Sequence, residues 1–239
     1  MPDFTSKVDS LRVYERGDRR APHKPLLLLL ALGRLQRGTP RLTPCVEVCR
    51  LLLPLLEAYA PPVKSRHLPE LPYWHLQSDG LWEVTNAERL PLQRGGFPRM
   101  AALRETSGGL DAKWVESLQQ DPRRIGELAR RLLSRHFPES LHRGLLQAVG
   151  LDLATPSDSP DPHNVLARER PLRDPEFRRT VLRAYEHRCA VTGFRAALGG
   201  SYFGVEAAHV RWHSAAGPDE VSNGLVLNPL LHLLFDRGA

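Results

Sequence analysis

Three polar residues late in the chain have types and spacing that could do chemistry together. His209, Asn223 and His232 occur in that order in VEAAHVRWHSAAGPDEVSNGLVLNPLLHLLFDRGA. His209 ends a short apolar run, Val205 to Val210, so a strand there would carry its imidazole at the strand end. Asn223 lies in the turn string PDEVSNG, before the second apolar run LVLN. Pro229 suits the first turn of a helix, where its missing N–H costs nothing. His232 lies on that helix, Asp236 follows four residues later on the same face, and Gly238 is a fitting stop. A divalent cation held by His232, with Asp236 as a second candidate, can polarise a phosphate and stabilise charge on a leaving oxygen. An imidazole facing it from the strand can take a proton from attacking water. An Asn between them can hold that imidazole's other nitrogen or ligate the metal.

A second set lies near the start. APHKPLLLL puts His23 and Lys24 in a predicted loop, Arg16 to Lys24, before a buried helix opened by Pro25. Such a helix start favours phosphate, although a polar loop with no partner fits the same string. PYWHLQSDGLWEVT reads as two β-runs joined by Asp79-Gly80 into a hairpin, with Tyr73 and Trp74 as hairpin core or as a ligand wall. In QRGGFPRM, Arg94 sits beside two glycines in what reads as a mobile loop, able to reach a groove or to remain a solvated turn.

The elements around these residues read as α+β. Phe4, Val8, Leu11 and Tyr14 have helical spacing. The leucine run after Pro25 is apolar nearly all round, so its helix must be buried. TPCVEVCRLLLPLLEAYA reads as another buried helix with a Thr cap and Pro at its first position. Three more helices are predicted at about 112–120, 122–136 and 138–149. Residues 151–172, rich in Pro, Asp and Ser, read as a linker, with His163 exposed in it. Asp174 and Pro175 then open a basic helix carrying Arg178, Arg179 and Arg183, which can follow a phosphate backbone or present a solvated face. The division is residues 1–150, linker 151–172 and residues 173–239. His213 lies in the loop after His209, and Arg237 could contact a phosphate or pair with Asp236.

Composition bounds the reading. The chain has 239 residues, 41% hydrophobic and 25% charged, enough for a packed core in one or two domains. A net charge of +6 permits nucleic acid without requiring it. Three cysteines and no signal peptide point to a reducing cytoplasm. Cys45 and Cys49, one helical turn apart in an apolar segment, read as buried thiols. The run LLLLLAL is too short to span a membrane.

Two resemblances sharpen this. The series His209, Asn223, His232, with NGLVLNPLLHLLFDRG, resembles the HNH nucleases and their ββα-metal fold. That resemblance implies His209 as general base, Asn223 as its orienter or a metal ligand, and His232 as a ligand of Mg²⁺ or Mn²⁺. Many relatives place a metal ligand directly before the first His, where this chain has Ala208, which leaves Glu206 or Asp236 to complete the site. Relatives with a structural zinc carry paired cysteines, but Thr192 and Gly193 follow Cys189 and Asn228 stands at a later Cys position, so no structural zinc is expected. Relatives also continue past FDRG, which makes this chain a truncated or a short member.

APHKPLLLL, PYWHLQSDGLWEV, the GGF loop and SRHFPESL together resemble the sulfur-binding domain of type IV restriction endonucleases that recognise phosphorothioate-modified DNA. The resemblance implies a mostly helical recognition domain whose sulfur cavity lies around His23, Lys24, Pro25, Pro72, Tyr73 and Trp74, with Arg94 reading adjacent bases. Leu71 stands where relatives often carry Tyr. The expected protein is a cytoplasmic endonuclease acting on phosphorothioated double-stranded DNA, with a homodimer as one way to cut both strands. The alternatives are an HNH nuclease reading another modification or sequence, and a DNA-binding protein with an inactive nuclease domain.

Overall fold

The computed structural model describes residues 4–13, 15–16, 19–60, 66–153, 175–198, 201–212, 215 and 217–238. Tyr14, most of the expected linker with His163, the Asp174 cap and His213 lie outside the described residues. Two compact units divide the chain: Met1–His136 with His142–Asp152, and Phe137–Leu141 with Leu153–Ala239. No helix among the described residues is long and apolar enough to cross a membrane.

The first unit is built around one helix. α1 (Phe4–Asp9) and a small ladder of β1 (Glu15–Arg16) and β2 (Arg19–Arg20) precede α2 (His23–Gln36). Leu26 through Leu30 and Leu32 of α2 are all buried, as an all-round apolar helix requires. Around it follow β3 (Thr43–Pro44), α3 (Cys45–Tyr59), α4 (Glu70–His75), β4 (Trp82–Val84), α5 (Met100–Arg104), β5 (Ser107–Leu110), α6 (Ala112–Gln120), α7 (Arg123–His136) and α8 (Glu139–Val149), of which residues 142–149 belong to this unit. α2 packs on α3, α4 and α7, and the three strands pair antiparallel in the order β3-β5-β4. The three late helices fall where periodicity places them.

Three local expectations are corrected. The segment PYWHLQSD is not the first arm of a hairpin. It forms α4 and a 3₁₀ turn, Leu76–Asp79, which Gly80 ends at φ +70°. Its aromatic residues have strand propensity, but Tyr73 is fully buried over β5, and tertiary packing overrides propensity. A Cβ on Gly108 of β5 would lie 2.7 Å from the Tyr73 hydroxyl, so a glycine is required beneath that ring. Second, α2 begins at His23, capped by Pro22, so His23 and Lys24 lie in its first turn and not in a loop before it. Third, Thr43 and Pro44 pair with β5 as a strand, and Pro44 is the residue before α3, which starts at Cys45 without a side-chain cap.

The second unit holds α9 (Pro175–Ala184), the hairpin of β6 (Ala196–Leu198) and β7 (Ser201–Phe203), β8 (Glu206–His209), β9 (Gly224–Leu227) and α10 (Pro229–Arg237). β8 and β9 pair antiparallel, with Glu206 opposite Leu227 and His209 opposite Gly224. Asn228 caps α10 by accepting from the Leu231 N–H, Pro229 follows at the first turn, and Gly238 ends the helix at φ +80°. Phe177, Val181 and Leu182 of α9 bury against Ala207, Ala208, Val226 and Leu227, a core that fixes the β8–β9 pair.

Candidate active site

The β8–β9–α10 unit positions all three polar residues of the C-terminal series, and each is buried. His209 ends β8. Its Nε2 lies 2.7 Å from Asp219 Oδ1, and its ring stacks on Phe177 of α9 at 4.0 Å and 12°. Asn223 directs its amide to backbone: Oδ1 accepts from the Arg211 N–H at 2.8 Å, and Nδ2 donates to the carbonyls of Arg211 (3.0 Å) and Pro218 (2.9 Å). One lone pair on Oδ1 is what remains for any other partner. Asp219 was not visible as a site residue from the sequence, where it is one of two acids in a turn string. Only the closing of the loop brings it to the strand end.

His232 lies between two carboxylates. Its Nδ1 is 2.8 Å from Glu206 Oε2, across from β8, and its Nε2 is 3.3 Å from Asp236 Oδ2, one turn along α10. The Glu206 side chain is 45% exposed and that of Asp236 only 2%. Both acids expected to compete for the metal therefore meet the same imidazole, at opposite nitrogens. Ala208 is fully buried in the core, so the position where relatives carry a ligand has no donor here.

Among the described residues no three His, Cys, Asp or Glu side chains converge as a ready cage. The donor types nevertheless fit a divalent cation. One nitrogen of His232 and its neighbouring carboxylate would hold the ion, and the carboxylate on the other nitrogen would orient the ring. Two protein donors leave coordination positions for water and phosphate oxygen, as Mg²⁺ prefers. The Cys189 sulfur meets hydrogen-bonding groups and not thiolates. Burial raises its pKa, but hydrogen bonds from the Thr192 side chain and backbone, and from the backbone of Val191 and Asn228, lower it further, to about 7.

In the first unit, His23 and His67 face each other at 5.5 Å, and the Nδ1 of each is buried without a hydrogen-bond partner among the described residues. Burial, and then the neighbouring His67, hold the His23 pKa below the ordinary imidazole value. Lys24 Nζ is 2.6 Å from Asp79 Oδ2, with side chains 15% and 3% exposed. Pro25 and Pro72 are buried. Tyr73 is wholly enclosed and its hydroxyl bonds Thr106 Oγ1 at 3.0 Å, so it can shape a surface only from behind. Leu71, one residue from Pro72, is exposed.

Trp74 is half-buried and supports the glycine loop: its Nε1–H donates to the Gly96 carbonyl at 2.9 Å, and its ring meets Phe97 edge-on. The loop is closed by the Leu92–Pro98 bridge and presents Arg94 to solvent. The structure thus packs α2, which carries His23, on α4, which carries Leu71 and Pro72, and ties the Arg94 loop to Trp74 through the Gly96 carbonyl.

Comparison with known proteins follows the same division. Residues 1–154 match the family model of the ScoMcrA-like DNA sulfur-binding domain, and residues 189–239 match the HNH endonuclease model. The sulfur-binding domain of ScoMcrA, solved in complex with phosphorothioated DNA, is 32% identical with a TM-score of 0.56, covering 64% of this chain and 99% of that one. A structure of the sulfur-binding and SRA domains of ScoMcrA with phosphorothioated DNA is 28% identical with a TM-score of 0.57, over 85% of this chain and 58% of that one. Against the type IV phosphorothioation-dependent restriction endonuclease ScoMcrA the identity is 30% and the TM-score 0.53, over 62% of this chain and 32% of that one. No curated protein matches.

Proposed function

The chain belongs to the ScoMcrA-like DNA sulfur-binding domain family and carries an HNH endonuclease domain, and from this premise we propose a modification-dependent restriction endonuclease that binds phosphorothioated duplex DNA and hydrolyses phosphodiester bonds nearby. The observation that carries the proposal is the joining, in one chain, of a fold solved elsewhere on phosphorothioated DNA to a ββα unit holding His209, Asn223 and His232.

Recognition follows from the chemistry of sulfur. A non-bridging sulfur is larger, softer and less strongly hydrated than the oxygen it replaces. A wall without charge therefore favours it, while a cation would favour phosphate oxygen. His23, whose charged form burial disfavours, with Pro72 and Leu71, supplies that wall. Lys24 does not contribute a free cation, because Asp79 neutralises it. Arg94 on its loop is exposed for contact with phosphate or a base edge.

In the nuclease unit, His209 takes the proton from attacking water. His232, with Glu206 or Asp236, would hold a Mg²⁺ or Mn²⁺ ion. Such an ion would supply charge stabilisation at the scissile phosphate and the leaving oxygen. Asn223 fixes the loop between the two strands. Residues 1–150 act as reader, 151–172 as linker and 173–239 as nuclease, in the cytoplasm. A duplex cut needs two nicks, which two copies related by a twofold axis would supply.

The test is binding of a duplex with one phosphorothioate against the identical unmodified duplex, at fixed salt and without metal. We expect a preference of tenfold or more for the modified duplex. Cleavage of that duplex on adding Mg²⁺ or Mn²⁺ should disappear in His209→Ala. Equal affinity for both duplexes would overturn the sulfur reading and leave a nuclease with another target.

A further inference from the structure

We infer that Asp219 is the residue that positions the general base His209, a role the polar series alone would give to Asn223. The inference rests on the nuclease reading above and adds a residue to it.

The argument begins at the imidazole. An ionised carboxylate only accepts hydrogen bonds, so the 2.7 Å contact with Asp219 Oδ1 is an Nε2–H of His209 donating. That contact sets the tautomer, with the proton on Nε2 and the basic lone pair on Nδ1. The ring is held in its plane as well as in its tautomer. It lies against the Phe177 ring at 4.0 Å and 12°, and is buried at the strand end. When the base takes its proton, the imidazolium gains the facing carboxylate as a counter-charge. This is the service an Asp renders to a catalytic His in a hydrolase triad.

Asp219 is placed by the loop, and here Asn223 enters at one remove. All three hydrogen-bonding directions of the Asn223 amide in use run to loop backbone, one of them to the carbonyl of Pro218, the residue before Asp219. Gly217 completes the arrangement. Its N–H bonds the Trp212 carbonyl at 3.0 Å, and a Cβ on it would lie 1.9 Å from the Arg211 carbonyl oxygen and 2.9 Å from Asn223 Nδ2. The loop therefore closes tightly enough to return an acid ten residues downstream to the imidazole at its start. Asn223 sets the loop, the loop sets Asp219, and Asp219 sets His209.

The experiment uses the full chain, Mg²⁺ and a phosphorothioated duplex. Asp219→Asn should lower the cleavage rate at saturating DNA by about 10–100-fold, the usual cost of removing a partner that orients a site imidazole, with KM and metal-free DNA binding unchanged. Asp219→Glu should recover part of the rate. A second readout needs no activity: ¹⁵N shifts of the His209 ring in metal-free protein should report the Nε2–H tautomer in the wild type, and a mixture in Asp219→Asn. Unchanged tautomer and a rate within about twofold of wild type in Asp219→Asn would overturn the positioning role while His209→Ala remains inactive. Full cleavage by His209→Ala would instead sink the nuclease reading on which the role rests.

Discussion

At the scale of single residues, the two ends of the chain use ionisable groups in opposite ways. Lys24, expected as a phosphate contact, forms a nearly enclosed pair with Asp79, which also accepts from the Arg12 N–H at 3.3 Å. Removing one partner of such a pair strands the other charge in a poor solvent. Lys24→Met should therefore destabilise the first unit by about 3–5 kcal/mol, while Lys24→Met with Asp79→Leu should recover most of that, as read from urea unfolding. Any loss of DNA binding in the single variant is then a folding effect. His23 gives the pH counterpart. Its folded pKa lies below the unfolded value, because burial and then His67 disfavour the charged ring. A neutral ring in the folded state contributes stability that is fully present above about pH 6.5 and is lost as pH falls through the depressed folded value. His75 carries a shift of the same direction, from burial and then Lys24, so the slope of stability against pH below 6.5 should be reduced, not abolished, in His23→Leu. An unchanged slope in that variant would show that His23 is as easily protonated folded as unfolded.

At the scale of elements, what could be read in advance divides by whether the signal is local. The last helix is signalled by neighbours in sequence: Pro229 at its start, Gly238 at its end, and His232 with Asp236 one turn apart. All of these lie where the pattern puts them. The cap itself is testable, since Asn228→Ala removes the acceptor for the Leu231 N–H and should cost about 1 kcal/mol, measured as a lowered Tm. By contrast, α4 was legible only as an apolar, aromatic run, which suits a strand as well as a helix. The decision came from Tyr73 packing over Gly108, more than thirty residues away in sequence, and from Gly80 ending a 3₁₀ turn where a hairpin turn was expected. The same misreading hid the link from Trp74 to the glycine loop. Because that link is one indole N–H to the Gly96 carbonyl, Trp74→Phe keeps most of the packing and loses the tether. The expected result is a weaker grip on DNA, by up to about tenfold, with an unchanged Tm; a loss equal to that of Arg94→Ala would place both residues in one contact.

At the scale of the whole molecule, the net charge of +6 says little until its distribution is followed along the chain. Residues 175–203 hold five arginines and two glutamates, whereas residues 204–238 hold two arginines and four acids around the candidate site. A basic stretch that can track phosphates thus adjoins, in sequence, an acidic one suited to a cation. The order of reader and nuclease was legible because each carries its own motifs, but the enclosure of Lys24 was not, since it depends on Asp79, distant in sequence. This separation predicts how salt should act. Contacts between arginines and phosphates release counterions, so binding to any duplex should weaken steeply between about 50 and 200 mM salt. Discrimination by an uncharged wall releases no ions, so the ratio of affinities for phosphorothioated and unmodified duplex should hold nearly constant across that range. Titrations of both duplexes at several salt concentrations would therefore give parallel lines of log affinity against log salt. A ratio that collapses with salt would mean that sulfur is recognised through a cation, and would move its recognition from His23 and Pro72 to an arginine such as Arg94.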